Sequence, residues 1–263
     1  MTTPLTRRRP SDIDVPDVPR IAWSELGPDF VASWGRPRGK DMPEHIEITG
    51  PTGSGKGVLK RDMLLERARR RGTHIVSIVT KQADRTADSM NWPVVESWAG
   101  VRKYDQCIFW PRTSKLGEER EEYQEAKIRD LLERLWTPDA NTVVDFDEWV
   151  YIENLSTRMR RLLNMYLREG RSHGLTCMMG KQRVQGTQRD MHSESDWKCA
   201  FKMNDTDDNK RLAELFGNVR AYLPVIESLD RERFEFLIQH KLTGQTYISW
   251  VDRPVNAPAP QGR

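Results

Sequence analysis

The stretch that decides the fold is ITGPTGSGKGVLKRDML, residues 48–64. A short β-branched run, HIEIT (45–49), leads directly into it. From Val58 the pattern becomes helical, with Leu59, Met63 and Leu64 on one face and Gly72 placed to stop it. Glycines at such a turn adopt backbone angles that aim several N–H groups at one anion, and the helix N-terminus adds partial positive charge. Gly50, Pro51, Thr52, Gly53, Ser54, Gly55, Lys56, Gly57 and Val58 are therefore expected to cradle the phosphates of ATP, with Lys56 reaching the outer ones. One position departs from the pattern G-x-x-x-x-G-K-[ST]. Gly57 stands where a hydroxyl is usual.

A phosphate cradle needs a second half, an acid to hold Mg²⁺ and a group to position the attacking water. TVVDFDE (142–148) supplies both at the end of an apolar strand, the edge at which open α/β sheets bind ligands. Asp147 is assigned to the magnesium shell and Glu148 to polarising the water. Asp145 lies on the same strand face as Asp147 and could also approach the metal. Three acids in four positions at the end of a buried strand are costly without a cation. Magnesium commonly keeps several waters, so a water is expected to fill the place of the hydroxyl missing at Gly57. On that basis Gly57→Ser should leave activity intact or raise it.

Strand-like runs recur at HIVSIV (74–79), CIFW (107–110), LTCMM (175–179), KCAFKM (198–203) and TYISWV (246–251). Helical patterns cover 118–136, 155–169 and about 207–216, so the fold class is α/β, a mostly parallel central sheet with helices on both faces. One domain is expected over 21–253, beginning with an irregular segment at 21–43 that carries Trp23, Phe30 and Trp34. Residues 1–20, with RRR at 7–9, read as a disordered basic arm, and 254–263 as a disordered proline-rich tail.

Net charge is only +3, from 42 basic and 39 acidic residues, so a nucleic-acid surface must be local or built from several copies. Three cysteines without CxxC spacing suit reduced core thiols and a cytoplasmic setting. No apolar run approaches the roughly 20 residues needed to cross a bilayer, and none follows the N-terminal arginines as a secretory signal requires. His173 and His192 have no partner at a metal-ligand spacing.

The order of GPTGSGKG, IVSIVTKQAD, VVDFDEW, LREGRSHGLTCMMGKQRV and CAFKMNDTDDNKRLAELFG, over roughly residues 44–217, resembles the FtsK–HerA superfamily of P-loop translocases. That group includes septal DNA pumps, conjugative coupling proteins and viral genome-packaging ATPases. The resemblance implies a RecA-like P-loop NTPase sheet and a homo-oligomeric, hexameric ring around double-stranded DNA held without reading sequence. It also implies that Gln182 senses the γ-phosphate and that Arg171 is an arginine finger reaching a neighbouring subunit, with Arg168 as substitute. Arg171 can equally be a cation closing a helix C-terminus. The chain departs from the family pattern at Gly57, Lys181 and Val184.

Candidate DNA-facing side chains are Arg67, Arg69, Arg70 and Arg71, then Arg158, Arg160, Arg161 and Arg168, with Arg183 and Arg189 after the sensor strand. For most of them a solvated helix face paired with nearby Glu is the competing reading. Three functions stay open: an ATP-driven motor that packages or transfers DNA beside a portal, relaxase or other DNA-processing partner; a protein-remodelling ATPase; and a nucleotide-binding subunit without turnover.

Overall fold

The computed structural model describes residues 16–34, 43–69, 72–184 and 189–251. Short runs rich in Val, Ile and Phe pair side by side because each is apolar on both faces and must be covered on both. The strands are β1 (Ile46–Thr49), β2 (His74–Ile78), β3 (Val94–Val95), β4 (Gln106–Phe109), β5 (Thr142–Phe146), β6 (Leu175–Lys181), β7 (Trp197–Phe201), β8 (Glu235–His240) and β9 (Thr246–Trp250). They form one sheet in the order β3-β4-β2-β5-β6-β1-β7-β8-β9. The ladder is parallel from β3 to β7, and β8 and β9 join antiparallel.

Register sets the position of the site. Thr49 pairs with Lys181 and Phe146 with Met179, so the turn after β1, the acids after β5 and the residues after β6 leave the sheet at one edge. Alternate residues of β2 supply both layers: Ile75 packs with Leu59 and Met63 on one face, Val76 with Ile128 and Leu163 on the other. The first face is covered by α1 (Trp23–Trp34) and α2 (Lys56–Ala68). Across the sheet lie α5 (Gly117–Leu135), α6 (Trp149–Asn154) and α7 (Thr157–Glu169). Two one-turn helices, α3 (Arg85–Asp88) and α4 (Trp98–Val101), sit in connections, and α8 (Arg189–Glu194) follows β6. A third apolar cluster joins α9 (Thr206–Leu215) and α10 (Val219–Glu227) to Leu237 and Ile248.

Two sequence expectations change here. The segment expected to be irregular at 21–43 contains α1, although Gly27 and Pro28 read as breakers. Aromatic packing outweighs propensity: Phe30 lies edge-on to Trp197 at 4.7 Å between centroids and stacks on Trp34 at 5.9 Å. Residues 16–20, expected in the basic arm, run along β9, with Arg20 bridging Ile248 and Val18 buried. The remainder of the arm and the tail at 254–263 lie outside the described residues. β3, β8 and α10 add elements that the pattern reading did not assign. The polar Glu235 and Gln239 that obscured β8 are satisfied, accepting from Asp230 N–H at 2.9 Å and donating to Tyr222 Oη at 2.8 Å.

At the opposite edge a buried histidine ties three elements together. His45 Nδ1 accepts the Cys177 N–H at 3.0 Å, which leaves Nε2 to donate to Leu167 O at 3.2 Å. Its own N–H is held by Asp196 at 2.8 Å, and Asp196 in turn accepts from Arg171. Burial first, then the Arg171 guanidinium, lower the His45 pKa from 6.5 to about 3. The folded imidazole therefore refuses a proton that the unfolded chain accepts below pH 6.5. Stability should fall as pH drops from 6.5, by about 2.5 kcal/mol at pH 4.5 from this group alone. Urea unfolding at the two pH values checks this, and His45→Gln should flatten the slope. An unchanged slope in that variant would refute the assignment.

Candidate nucleotide site

The turn between β1 and α2 closes on Gly55, whose φ of 98° is open to glycine and whose Cβ, if present, would lie 3.1 Å from Val251 and 3.2 Å from Phe234. Gly55 is also the N-cap of α2, and no side chain among the described residues caps the helix. Its first N–H groups are thus left for an anion. A groove of about 300 Å³ opens over this first turn, lined by Lys56, Gly57, Thr86, Phe234 and Val251 among others. Ser54 Oγ is buried in the cradle without a hydrogen-bond partner among the described residues. An uncapped helix, an orphaned hydroxyl and a turn too tight for a Cβ fit a polyphosphate.

The acids of β5 reach the same place, but the protein supplies cations of its own. Lys60, one turn after Lys56 on α2, forms a buried pair with Asp145 at 2.8 Å and donates to Phe146 O at 3.1 Å. Ser77 Oγ donates to the other Asp145 oxygen at 2.7 Å. Asp145 is consequently occupied as a structural partner, which corrects the expectation that it could approach a metal. Asp147 meets Lys81 at 2.6 Å and Lys60 at 3.8 Å. Burial alone would raise its carboxyl, yet the Lys60, Lys81 and Lys56 ammoniums hold it below the usual range. Lys56 is shifted down by burial and by Lys60, against the pull of Glu148 and Asp147. A phosphate beside it would relieve that shift.

Lys81 is placed from behind. Trp110 Nε1 donates to Lys81 O at 2.6 Å, and Arg120 and Gln124 hold Thr80 O at 2.7 and 2.9 Å. Glu148 accepts from Gln182 Nε2 at 2.6 Å, while Gln182 Oε1 accepts from Thr52 Oγ1 at 3.0 Å. The amide therefore links the phosphate turn to the proposed water-positioning acid. Of the residues assigned from sequence, Lys56, Gly57, Asp147, Glu148 and Gln182 come together at this edge.

Arg171 does not. It precedes β6, at the opposite end of the sheet, where it pairs with Asp196 at 3.0 Å and Glu194 at 2.9 Å. Gly57 also needs revision: a Cβ there would stand 2.8 Å from Thr86 Oγ1, so a serine collides with Thr86 rather than filling a vacancy. Lys181, unusual at its position, is fully buried against Glu47 and His192 at 3.5 and 3.3 Å. Burial raises the Glu47 carboxyl, but Lys181 and His192 outweigh it and bring the pKa to about 2.

Among the candidate DNA-facing arginines, Arg67, in the last turn of α2, is buried over the Trp34 ring at 5.7 Å and is a packing residue. Arg69 pairs with Glu66 at 2.6 Å and Arg158 with Glu133 at 3.2 Å. Arg160 donates to Asn154 at 3.0 Å. Arg70, Arg71, the Arg189 side chain and RRR at 7–9 lie outside the described residues.

The Lys60–Asp145 pair is testable by stability. With its two side chains only 5% and 4% exposed, Lys60→Met strands a buried carboxylate and should cost about 3–5 kcal/mol at pH 7. The loss should shrink as the acid protonates towards pH 4, and Lys60→Met with Asp145→Asn should lose less than Lys60→Met alone. Urea unfolding of the three proteins measures it. A cost under about 1 kcal/mol would contradict the buried pair.

No protein-family profile matches the chain, and no curated protein does. Solved structures do. The genome packaging NTPase B204 from Sulfolobus turreted icosahedral virus 2, in complex with sulfate, is similar at TM-score 0.59 and 14% identity, over 78% of this chain and 95% of that one. The DNA-packaging ATPase B204 from Sulfolobus turreted icosahedral virus gives 0.59 and 13%, over 81% and 98%. The cytoplasmic domain of the Thermomonospora curvata type VII secretion ATPase EccC gives 0.54 and 18%, over 82% of this chain and 26% of that one. At such identities the likeness is one of fold: a mostly parallel sheet with a glycine-rich turn at its edge, the fold of P-loop NTPases.

Proposed function

We propose that this chain is an ATP-hydrolysing motor that moves or packages DNA. The observation that carries the reading is the meeting of Lys56, Asp147, Glu148 and Gln182 at one sheet edge, over an uncapped helix N-terminus. Its fold likeness to a genome packaging NTPase supports the choice of substrate. In this reading the N–H groups of the turn and Lys56 hold the phosphates, and Asp147 holds Mg²⁺. Bound there, the ion neutralises charge on the phosphate oxygens. Glu148, fixed by Gln182, positions the attacking water and takes its proton. Lys81 must release Asp147 before the carboxylate can serve a metal, so the Lys81–Asp147 pair competes with loading.

Ring assembly, with Arg171 serving the next copy, belongs to the same proposal. Its pairing with Asp196 and Glu194 instead favours a structural ion pair, a role distinct from the helix-closing cation weighed above. A protein substrate is the second reading, favoured by the fold likeness to a type VII secretion ATPase.

ATP hydrolysis measured with and without double-stranded DNA separates these. Wild type should be stimulated by DNA, and the stimulation should fall as salt rises. Lys56→Ala should lose nucleotide binding. Glu148→Gln should bind ATP yet turn over at least about a hundredfold more slowly. Hydrolysis indifferent to DNA would favour the protein substrate, and absence of hydrolysis would reject the motor. Lys81→Ala should lower the Mg²⁺ concentration for half-maximal rate by about two- to fivefold, the worth of a half-exposed ion pair.

A further inference from the structure

Gly57 leaves the phosphate turn without the hydroxyl that the pattern demands, and the structure places another hydroxyl in the same space. Thr86 Oγ1 lies 2.8 Å from where a Cβ on residue 57 would be, nearer than any other atom of Thr86. Thr86 lines both the groove over Lys56 and Gly57 and the adjoining small cavity that contains Asp145 and Asp147. It therefore stands between the phosphate turn and the acid assigned to the metal.

Its position is held by backbone contacts, not by the hydroxyl. Asp84 Oδ1 accepts the N–H groups of Thr86 and Ala87 at 2.9 and 3.0 Å, and Ser89 Oγ donates to Thr86 O at 2.7 Å. Ala87 is buried in the core cluster that includes Leu64. Asp84 also lies 3.5 Å from Lys81, the residue paired to Asp147. The Thr86 hydroxyl itself has no hydrogen-bond partner among the described residues. Glycine at 57 is what makes room for it.

We propose that Thr86 supplies from α3, the one-turn helix after β2, the hydroxyl ligand that residue 57 lacks, completing with Asp147 a site for the divalent cation of a bound nucleoside triphosphate. This rests on the nucleotide-binding reading above, and a neutral hydroxyl oxygen is the donor type that magnesium accepts. It replaces the expectation that a water fills the place.

The test is equilibrium binding of a fluorescent ATP analogue, with Mg²⁺ and with EDTA, to purified full-length variants. Wild type should bind more tightly with Mg²⁺. Thr86→Val keeps the shape and should keep the EDTA affinity while losing about tenfold of the Mg²⁺-dependent gain, as loss of a metal-site partner does. Thr86→Ser should retain the gain. Gly57→Ser alone should weaken it, because the new side chain meets Thr86, whereas Gly57→Ser with Thr86→Ala should restore it. Equal Mg²⁺-dependent gain in wild type and Thr86→Val, with both melting alike, would overturn the role of Thr86 and leave the nucleotide site standing. Failure of wild type to bind the analogue at all would overturn both.

Discussion

The ion pair between Lys60 and Asp145 is the constraint on which the site depends. Lys60 lies on α2 and Asp145 on β5, and their 2.8 Å contact is sealed from water by the sheet and helix around it. Burial alone would lower the Lys60 ammonium, but the Asp145 and Asp147 carboxylates outweigh it and raise it, while burial raises Asp145 against the pull of Lys60 and the Ser77 hydroxyl. The pair clamps the second turn of α2 to the end of β5. Lys56, one turn nearer the helix start, is thereby brought beside Asp147 and Glu148. Breaking such a pair is costlier than never having built it, because one charge is left stranded.

Charge balance at this edge gives the site its second property. Lys56, Lys60 and Lys81 face Asp145, Asp147 and Glu148, so the acids are neutralised before any ion or nucleotide arrives. Three acids in four positions demand a cation, and the protein meets part of that demand with ammonium groups. Lys60 is permanent, whereas Lys81 is half-exposed and reaches Asp147 from a loop. A metal can displace the second without unfolding the first.

Much of this was legible because it is local. The glycines, Lys56 and the β5 acids sit in contiguous motifs whose residue types carry their chemistry. Lys60 had a readable signal too, since its i+4 spacing from Lys56 puts both on one helix face. Lys81 lies three residues beyond the end of β2, which pairs with β5, a position that register alone exposes. Thr86 had no signal, for nothing in the sequence says that the helical turn beyond β2 fills the space over Gly57. The helix at Trp23–Trp34 was hidden by Gly27 and Pro28, because aromatic packing against Trp197 is a long-range fact. Arg171, read by resemblance as a finger, has its visible partners at the other end of the sheet.

The central claim is that a triphosphate and its divalent ion dock between the glycine turn and Asp147. The most direct measurement is a crystal structure grown with Mn²⁺ and a non-hydrolysable ATP analogue, recorded for anomalous scattering. The account predicts a manganese peak beside the Asp147 carboxylate, phosphates over the first turn of α2 and the Lys81 ammonium moved off Asp147. Phosphates seated elsewhere, or a nucleotide bound with Lys81 still on Asp147 and no manganese between them, would contradict it.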